Sequence, residues 1–294
     1  MAMFKWLKRI LIFSLLAILL WIAAEASLYY YWVRQLRDHN PQTTALIEQR
    51  AREARARGEE PKRFQQWVPL SRISVNLQRA VIAGEDHNFA THNGFDYEAI
   101  RRAWEEAQRE AEREARAEGD QDPTDWIPPL PAFKRGASTI TQQLAKNLFL
   151  STERSFLRKA REAFITILLE HELSKRRILE LYLNVIEWGD GIYGAEAASQ
   201  YYFKKSAADL TPREAAFLAA IIPNPITVFN PQKNPRRVAR RQRIILRYMS
   251  SVKLPAEREE RSASRPTAFG PLMCAARNLI PQSSASAARI CWTT

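Results

Sequence analysis

Residues 136–149 read GASTITQQLAKNLF. Ile140, Leu144 and Leu148 recur at i, i+4 and i+8, the stripe of a helix with a buried face. Thr139, Gln142, Gln143 and Lys146 are expected along the opposite side. That side carries a hydroxyl, amides and a cation but no acid, whereas a solvated helix face usually mixes both signs of charge. Such a helix suits an electron-rich ligand, and helix is the pattern on either side of it.

Downstream, the pattern stays almost continuously helical from Ser151 to Pro223. STERSFLRKAREAF (151–164) starts a helix with Ser151 or Thr152 as its cap. Arg154, Arg158 and Glu162 then share a face at four-residue spacing. Ser174 is placed to cap KRRILELYLNVIEWG, expected to run to Gly189, and Pro235 opens a strongly basic helix, RRVARRQRIILRYM. No run of alternating β-branched residues is long enough for a sheet. The fold class is therefore mostly α.

Upstream, NLQRAVIAGEDHNFATHNGFD (76–96) runs an apolar stripe, Leu77, Ala80, Val81 and Ala83, directly into Glu85 and Asp86. A glutamate at the end of a buried helix face is half-buried, and burial lifts a carboxyl toward the range useful in proton transfer. By itself a Glu-Asp pair is a weak signal.

The chain has 294 residues and a formal charge of +12, enough for one large domain or two small ones with a real core. Cys274 and Cys291 lack metal-ligand spacing and do not form a disulfide framework. His39, His87, His92 and His171 are scattered, without the HExxH pattern of a zinc enzyme. At the N-terminus, Lys5, Lys8 and Arg9 precede an apolar run from Ile10 to Val33 whose sole charge is Glu25. The run is long enough to cross a bilayer, with Tyr29, Tyr30, Tyr31 and Trp32 as an aromatic belt at the far interface. A cleaved signal peptide is the competing reading, since Ala24-Glu25-Ala26 mimics a cleavage site. The length and the belt favour an uncleaved anchor over 10–33, with residues 1–9 in the cytoplasm. Residues 34–66 read as a charged linker. Residues 105–134 read as an inserted segment, a charged helix broken by prolines at 123, 128, 129 and 131. The tail, 256–294, reads as disordered or loosely attached.

Four segments together, EDHNFATHNGFD, GASTITQQLAKNLFL, RKAREAFITILLE and KRRILELYLNVIEWGDGIYGAEAASQYYF, resemble the motif series of the peptidoglycan glycosyltransferases, glycosyltransferase family 51. The likeness runs from about Trp67 to Met249, within an expected domain of 67–255. With an anchor before the domain and no penicillin-binding domain after it, the chain resembles the monofunctional biosynthetic form. The resemblance implies a lysozyme-like, two-lobed α domain on the outer side of the bacterial inner membrane, acting on lipid II and the growing lipid-linked glycan. It implies Glu85 as general base, Asp86 as its support, and Glu162 as a second catalytic carboxylate and candidate ligand of a divalent cation, Mg or Mn. Lys146 and Arg154 match the cations that serve the departing diphosphate. Ser138, Thr139, Gln142, Gln143, Asn147, Arg158 and Lys159 are further candidate contacts. No organic cofactor and no nucleic acid is expected; other cell-wall synthesis and division proteins are expected partners. The chain departs from the family pattern in carrying Gly136-Ala137 for Gly-Gly and in its long 105–134 insert.

Two other functions fit parts of the sequence. A lytic transglycosylase or muramidase also uses a glutamate in a lysozyme-like domain, but acts on finished glycan without needing the cation set, and a glycosidase of the common kind needs a second carboxylate at a set distance. A non-enzymatic membrane-tethered binder of nucleic acid or anionic lipid would use Arg236–Arg243, which outside the cytoplasm suits anionic lipid headgroups.

Overall fold

A computed structural model of the chain describes residues 2–118, 138–150 and 155–256. The helices are α1 (Ala2–Gln35), α2 (Ala45–Ala56), α3 (Val75–Glu85), α4 (Tyr97–Glu118), α5 (Ile140–Phe149), α6 (Phe156–Glu172), α7 (Lys175–Val185), α8 (Ala195–Phe203), α9 (Pro212–Ile221) and α10 (Pro235–Tyr248). Three very short strands, β1 (Phe64–Gln65), β2 (Glu187–Gly189) and β3 (Ile192–Tyr193), form a sheet in the order β1-β3-β2. Strands of two or three residues carry no readable alternation, which is why the sequence pattern showed only helix.

Two groups of helices share one continuous core. In the first, α3, α9 and α10 pack together; in the second, α5 is wrapped by α2, α6 and α7, with α1 against α6. This is the mostly α, two-lobed architecture expected from the resemblance. Local capping starts most of these helices. Thr44, Ser74, Ser155 and Ser174 each accept a hydrogen bond from an orphan N–H in the first turn of α2, α3, α6 and α7. Thr139 and Thr211 build full capping boxes with Gln142 and Glu214, and Pro235 occupies the first turn of α10.

Several expectations are corrected here. Helix α6 is capped by Ser155, one turn later than Ser151 or Thr152, which lie outside the described residues. Helix α7 stops at Val185 because Glu187–Gly189 leaves it to pair with β3. The segment read as a linker is built into the domain: α2 buries Ala45, Ile47 and Ala54, and Phe64–Gln65 pairs with Ile192–Tyr193. Asn184, fully buried, holds the chain that follows by bonding both the N–H and the C=O of Val68.

The aromatic belt divides. Tyr30 and Tyr31 remain exposed, but Tyr29 is buried, and Trp32 stacks on Phe149 of α5 with the rings 10° from parallel. Helix α1 thus begins as a long apolar rod, with an exposed window of mean hydropathy 2.3 compatible with a single membrane crossing. It ends as a core helix, burying Val33 and Leu36. Arg161 of α6 reaches Glu25 with both Nε and Nη2, so the acid in the apolar run is compensated by the domain. Arg37 and Arg177 pin the far end of α1 through Glu172 and the Leu36 carbonyl. The apolar helix runs unbroken into the domain. Helix α4 carries the first part of the insert; 119–137, with Gly136-Ala137, and the tail from 257, with Cys274 and Cys291, lie outside the described residues.

Candidate active site

Helix α3 ends on Glu85, and its packing decides where that carboxylate sits. Leu77, Ala80, Val81 and Ile82 are fully buried, so the last turn is carried to the junction of α5, α7 and α10. There the Glu85 side chain is 8% exposed. Oε2 accepts from Gln143 Nε2 at 3.0 Å and Oε1 from Arg241 Nη2 at 2.8 Å. Burial pushes this carboxyl above the usual carboxylate range, against the pull of Arg241, Gln143 and Lys146. Gln143 is aimed by a second group. Burial holds the Tyr182 phenol far above its ordinary pKa, so its O–H stays a donor, and it donates to Gln143 Oε1 at 2.9 Å. That bond leaves only the amide nitrogen to face Glu85.

Asp86 does a different job. Its carboxylate accepts from Ile140 N at 2.9 Å, in the first turn of α5, and from His92 Nε2 at 2.8 Å. Since Gly94 N donates to His92 Nδ1 at 3.1 Å, the ring proton is on Nε2. Asp86 therefore ties the end of α3 to the start of α5, where an acid is favoured by the helix dipole. Gly94 permits the turn: its φ is +86°, and a Cβ there would lie 2.8 Å from Thr166 Cγ2.

The α5 candidates separate into two sets. Thr139 and Gln142 are buried and spent on the cap: Thr139 Oγ1 donates to Gly94 O at 2.7 Å and accepts from Gln142 N, while Gln142 Oε1 accepts from Thr139 N. They shape the helix start and do not lie opposite the buried stripe, as was expected. Ser138, just before, is exposed. Gln143, Lys146 and Asn147 instead line a cavity of about 200 Å³ with Leu46 and Arg50 of α2, Tyr182 of α7, Glu187 of β2 and the 222–226 loop. Burial pushes the Lys146 ammonium down, while Glu162 and Glu85 draw it back up. Among the described residues it makes no salt bridge, so its charge is available to a ligand.

On α6, Arg158 Nη1 meets Glu162 Oε2 at 2.9 Å and Lys159 Nζ meets Oε1. The Arg158 and Glu162 side chains are 18% and 5% exposed, so this is no ordinary solvated surface pair. One carboxylate is held between two cations and in the field of a third, Lys146. Arg154 lies outside the described residues.

A buried carboxylate aimed by an amide and an arginine thus lies in the field of Lys146, which also feels Arg158, Lys159 and Glu162 of α6. The transglycosylase family model matches residues 52–119 and 130–250. The chain belongs to the transglycosylase family. It is 46% identical over 236 residues to a biosynthetic peptidoglycan transglycosylase of Thiobacillus denitrificans, covering 80% of this chain and 90% of that protein. Proteins of the same name from Herminiimonas arsenicoxydans and Laribacter hongkongensis are 40% and 42% identical. Those matches cover 84% and 86% of this chain and 98% and 100% of the relatives.

In this transglycosylase the divalent cation implied at Glu162 meets an unsuitable donor set. Both carboxylate oxygens already face cations, and no cluster of three or more His, Cys, Asp or Glu suited to a metal occurs among the described residues. The residues present do not fit the ion. Sequence reasoning missed four contributors. Arg50 clamps Glu187 through two bonds of 2.9 Å, Tyr182 orients Gln143, His92 holds Asp86, and Arg241 holds Glu85. His92 and Tyr182 lie inside the quoted motifs; Arg50 and Arg241 sit in charge-rich helices whose sequence looks like solvated surface.

Proposed function

We propose that this site extends peptidoglycan glycan strands from lipid II. Glu85 takes the proton from the 4-hydroxyl of the acceptor lipid II. That oxygen attacks the anomeric carbon of the growing chain, which is α-linked to its polyprenyl diphosphate. The C–O bond to the diphosphate breaks with inversion, giving a β-1,4 link. Lys146, with Arg154, Arg158 and Lys159, balances the charge of the departing diphosphate, where preplaced cations act most strongly in a site shielded from water. Glu162 sets the spacing and net charge of that cationic wall. The observation that carries this reading is the pairing of one buried, aimed carboxylate, Glu85, with a separate cationic wall on α5 and α6. A positioned base contributes roughly 10²–10⁴-fold.

The apolar start of α1 supports delivery of the substrate from the membrane, with the domain on the periplasmic side of the inner membrane and Lys5, Lys8 and Arg9 on the cytoplasmic side. The test is polymerisation of labelled lipid II by the purified protein in detergent. Long glycan together with free polyprenyl diphosphate is the expected outcome. Shortening of preformed glycan without use of lipid II would overturn the reading in favour of a lytic enzyme.

A further inference from the structure

The basic helix α10 looks from its sequence like a uniformly cationic surface, and Arg236, Arg237, Arg240, Arg243 and Arg247 are indeed exposed. Arg241 breaks that pattern. Its side chain turns inward, and Nη2 donates to both the Gly84 carbonyl and Glu85 Oε1, each at 2.8 Å. The guanidinium lies 5.5 Å from the centre of the Phe229 ring, a cation–π contact that adds to its hold. The close approach depends on Gly84: a Cβ there would stand 3.1 Å from Ile245 Cδ1 and 3.6 Å from Arg241 Nη2. Helix α10 therefore closes over the last turn of α3 at the one residue there with no side chain, and the residue after it is the candidate base.

The surroundings of Glu85 make this contact consequential. Gln143 and Lys146 face it from α5, Tyr182 from α7 and Arg241 from α10, and Asp86 follows it in the chain. Helix α9, packed along α3, buries only Ala and other apolar residues. Of these groups Gln143 and Tyr182 are neutral, and Lys146 is shared with Glu162. Among the described residues Arg241 is thus the cation in direct contact with a carboxylate that burial otherwise drives toward its protonated form. Each carboxylate oxygen keeps a second lone pair for an incoming hydroxyl, so the bond orients the base without consuming it.

We propose that Arg241 is a positioning residue for glycosyl transfer, keeping Glu85 in its proton-accepting form and fixing the plane in which it meets the acceptor hydroxyl. This rests on the reading of Glu85 as the base. Arg241 acts through Glu85 and does not belong to the diphosphate wall.

The experiment measures kcat/KM for lipid II polymerisation against pH in wild type, Arg241→Lys and Arg241→Met, with the affinity of each for a diphosphate-containing donor mimic and a thermal melt. Glu85 must be ionised to act, so activity is lost as pH falls through its pKa. Removing the partner cation raises that pKa, and the acid limb of the profile should move up by ~1 unit in Arg241→Met. Arg241→Lys retains charge without the planar fork and should move the limb by less; it also remains informative if the methionine variant does not fold. Mimic affinity should stay within a few-fold of wild type. A uniform loss of activity at every pH with the limb unmoved, or a loss of mimic affinity comparable to the loss of turnover, overturns the proposal. Glu85→Gln run alongside separates the two readings. If it polymerises normally, the base assignment fails; if it is inactive while the Arg241 limb stays fixed, only the role of Arg241 fails.

Discussion

Two glutamates act on the same lysine, Lys146, and are treated in opposite ways. Glu85 ends a helix, contacts one arginine and one amide, and is lifted by burial. Glu162 lies within α6, and each of its oxygens faces a cation one turn away. A carboxylate with a single ionic partner and a costly charge is suited to take up a proton. A carboxylate locked between arginine and lysine serves to space positive charges that would otherwise repel each other. Burial alone does not make a general base; the balance of its partners does.

The largest effect that tests this contrast is at Glu85. Glu85→Gln preserves shape and can still accept from one of Gln143 and Arg241, but it removes the proton acceptor, so turnover should fall by at least ~10², while binding of a diphosphate mimic survives. Normal polymerisation by that variant would break the comparison at its first half.

Next comes the opposite wall. Lys146→Ala should lose turnover and mimic affinity together, since a desolvated charged contact is worth about 2–5 kcal/mol. Lys146→Arg should rescue partly, because a fork does not replace a compact charge. Titration of the mimic beside turnover decides it; wild-type affinity in Lys146→Ala would remove lysine from the cationic wall.

Glu162→Gln should have a smaller effect than either. It leaves Arg158 and Lys159 without their shared counter-charge, so turnover should drop about 10-fold as the cations lose their set positions. Affinity for the anionic mimic should hold or rise. A fall in turnover greater than that of Glu85→Gln would reverse the roles of the two carboxylates.

The smallest effect sets the scale of a purely structural loss. Glu214 closes the capping box of α9 and meets Lys205 at 2.6 Å, bonds that hold its carboxyl down to about 2. A lowered folded pKa stabilises above the unfolded value of 4.5 and is lost as pH falls toward 2. Thr211→Ala should cost about 1 kcal/mol. The melting-temperature gap between wild type and Glu214→Ala should be full at neutral pH and narrow across that acid range. Mimic affinity below the melting range should not change.

Helix, the starts of α7 and α10 and the order of the site segments were legible in the residues themselves, whereas the start of α6 was expected a turn too early. Ser174 and Pro235 open α7 and α10 where their chemistry says they should, and the apolar periodicity of 140–148 marks a buried face. These are local matters, decided by side chains competing for backbone groups within one turn. Partner choice is not local. The same residue types served as cap in Thr139 and Gln142 and as clamp in Gln143. Tyr29 and Trp32 turned from a membrane belt to the flank of α5, and the charged segment around Arg50 became a wall of the cavity. Arg241 shows the limit most clearly: among several arginines in a row, only the approach of α10 over Gly84 selects the one that reaches Glu85. The sequence by itself determined a helical transglycosylase domain behind an apolar helix, because periodicity and motif order depend on neighbours in the chain. Which carboxylate is poised and which is pinned was decided only by tertiary packing, because burial and the approach of distant cations set the free energy of a charge.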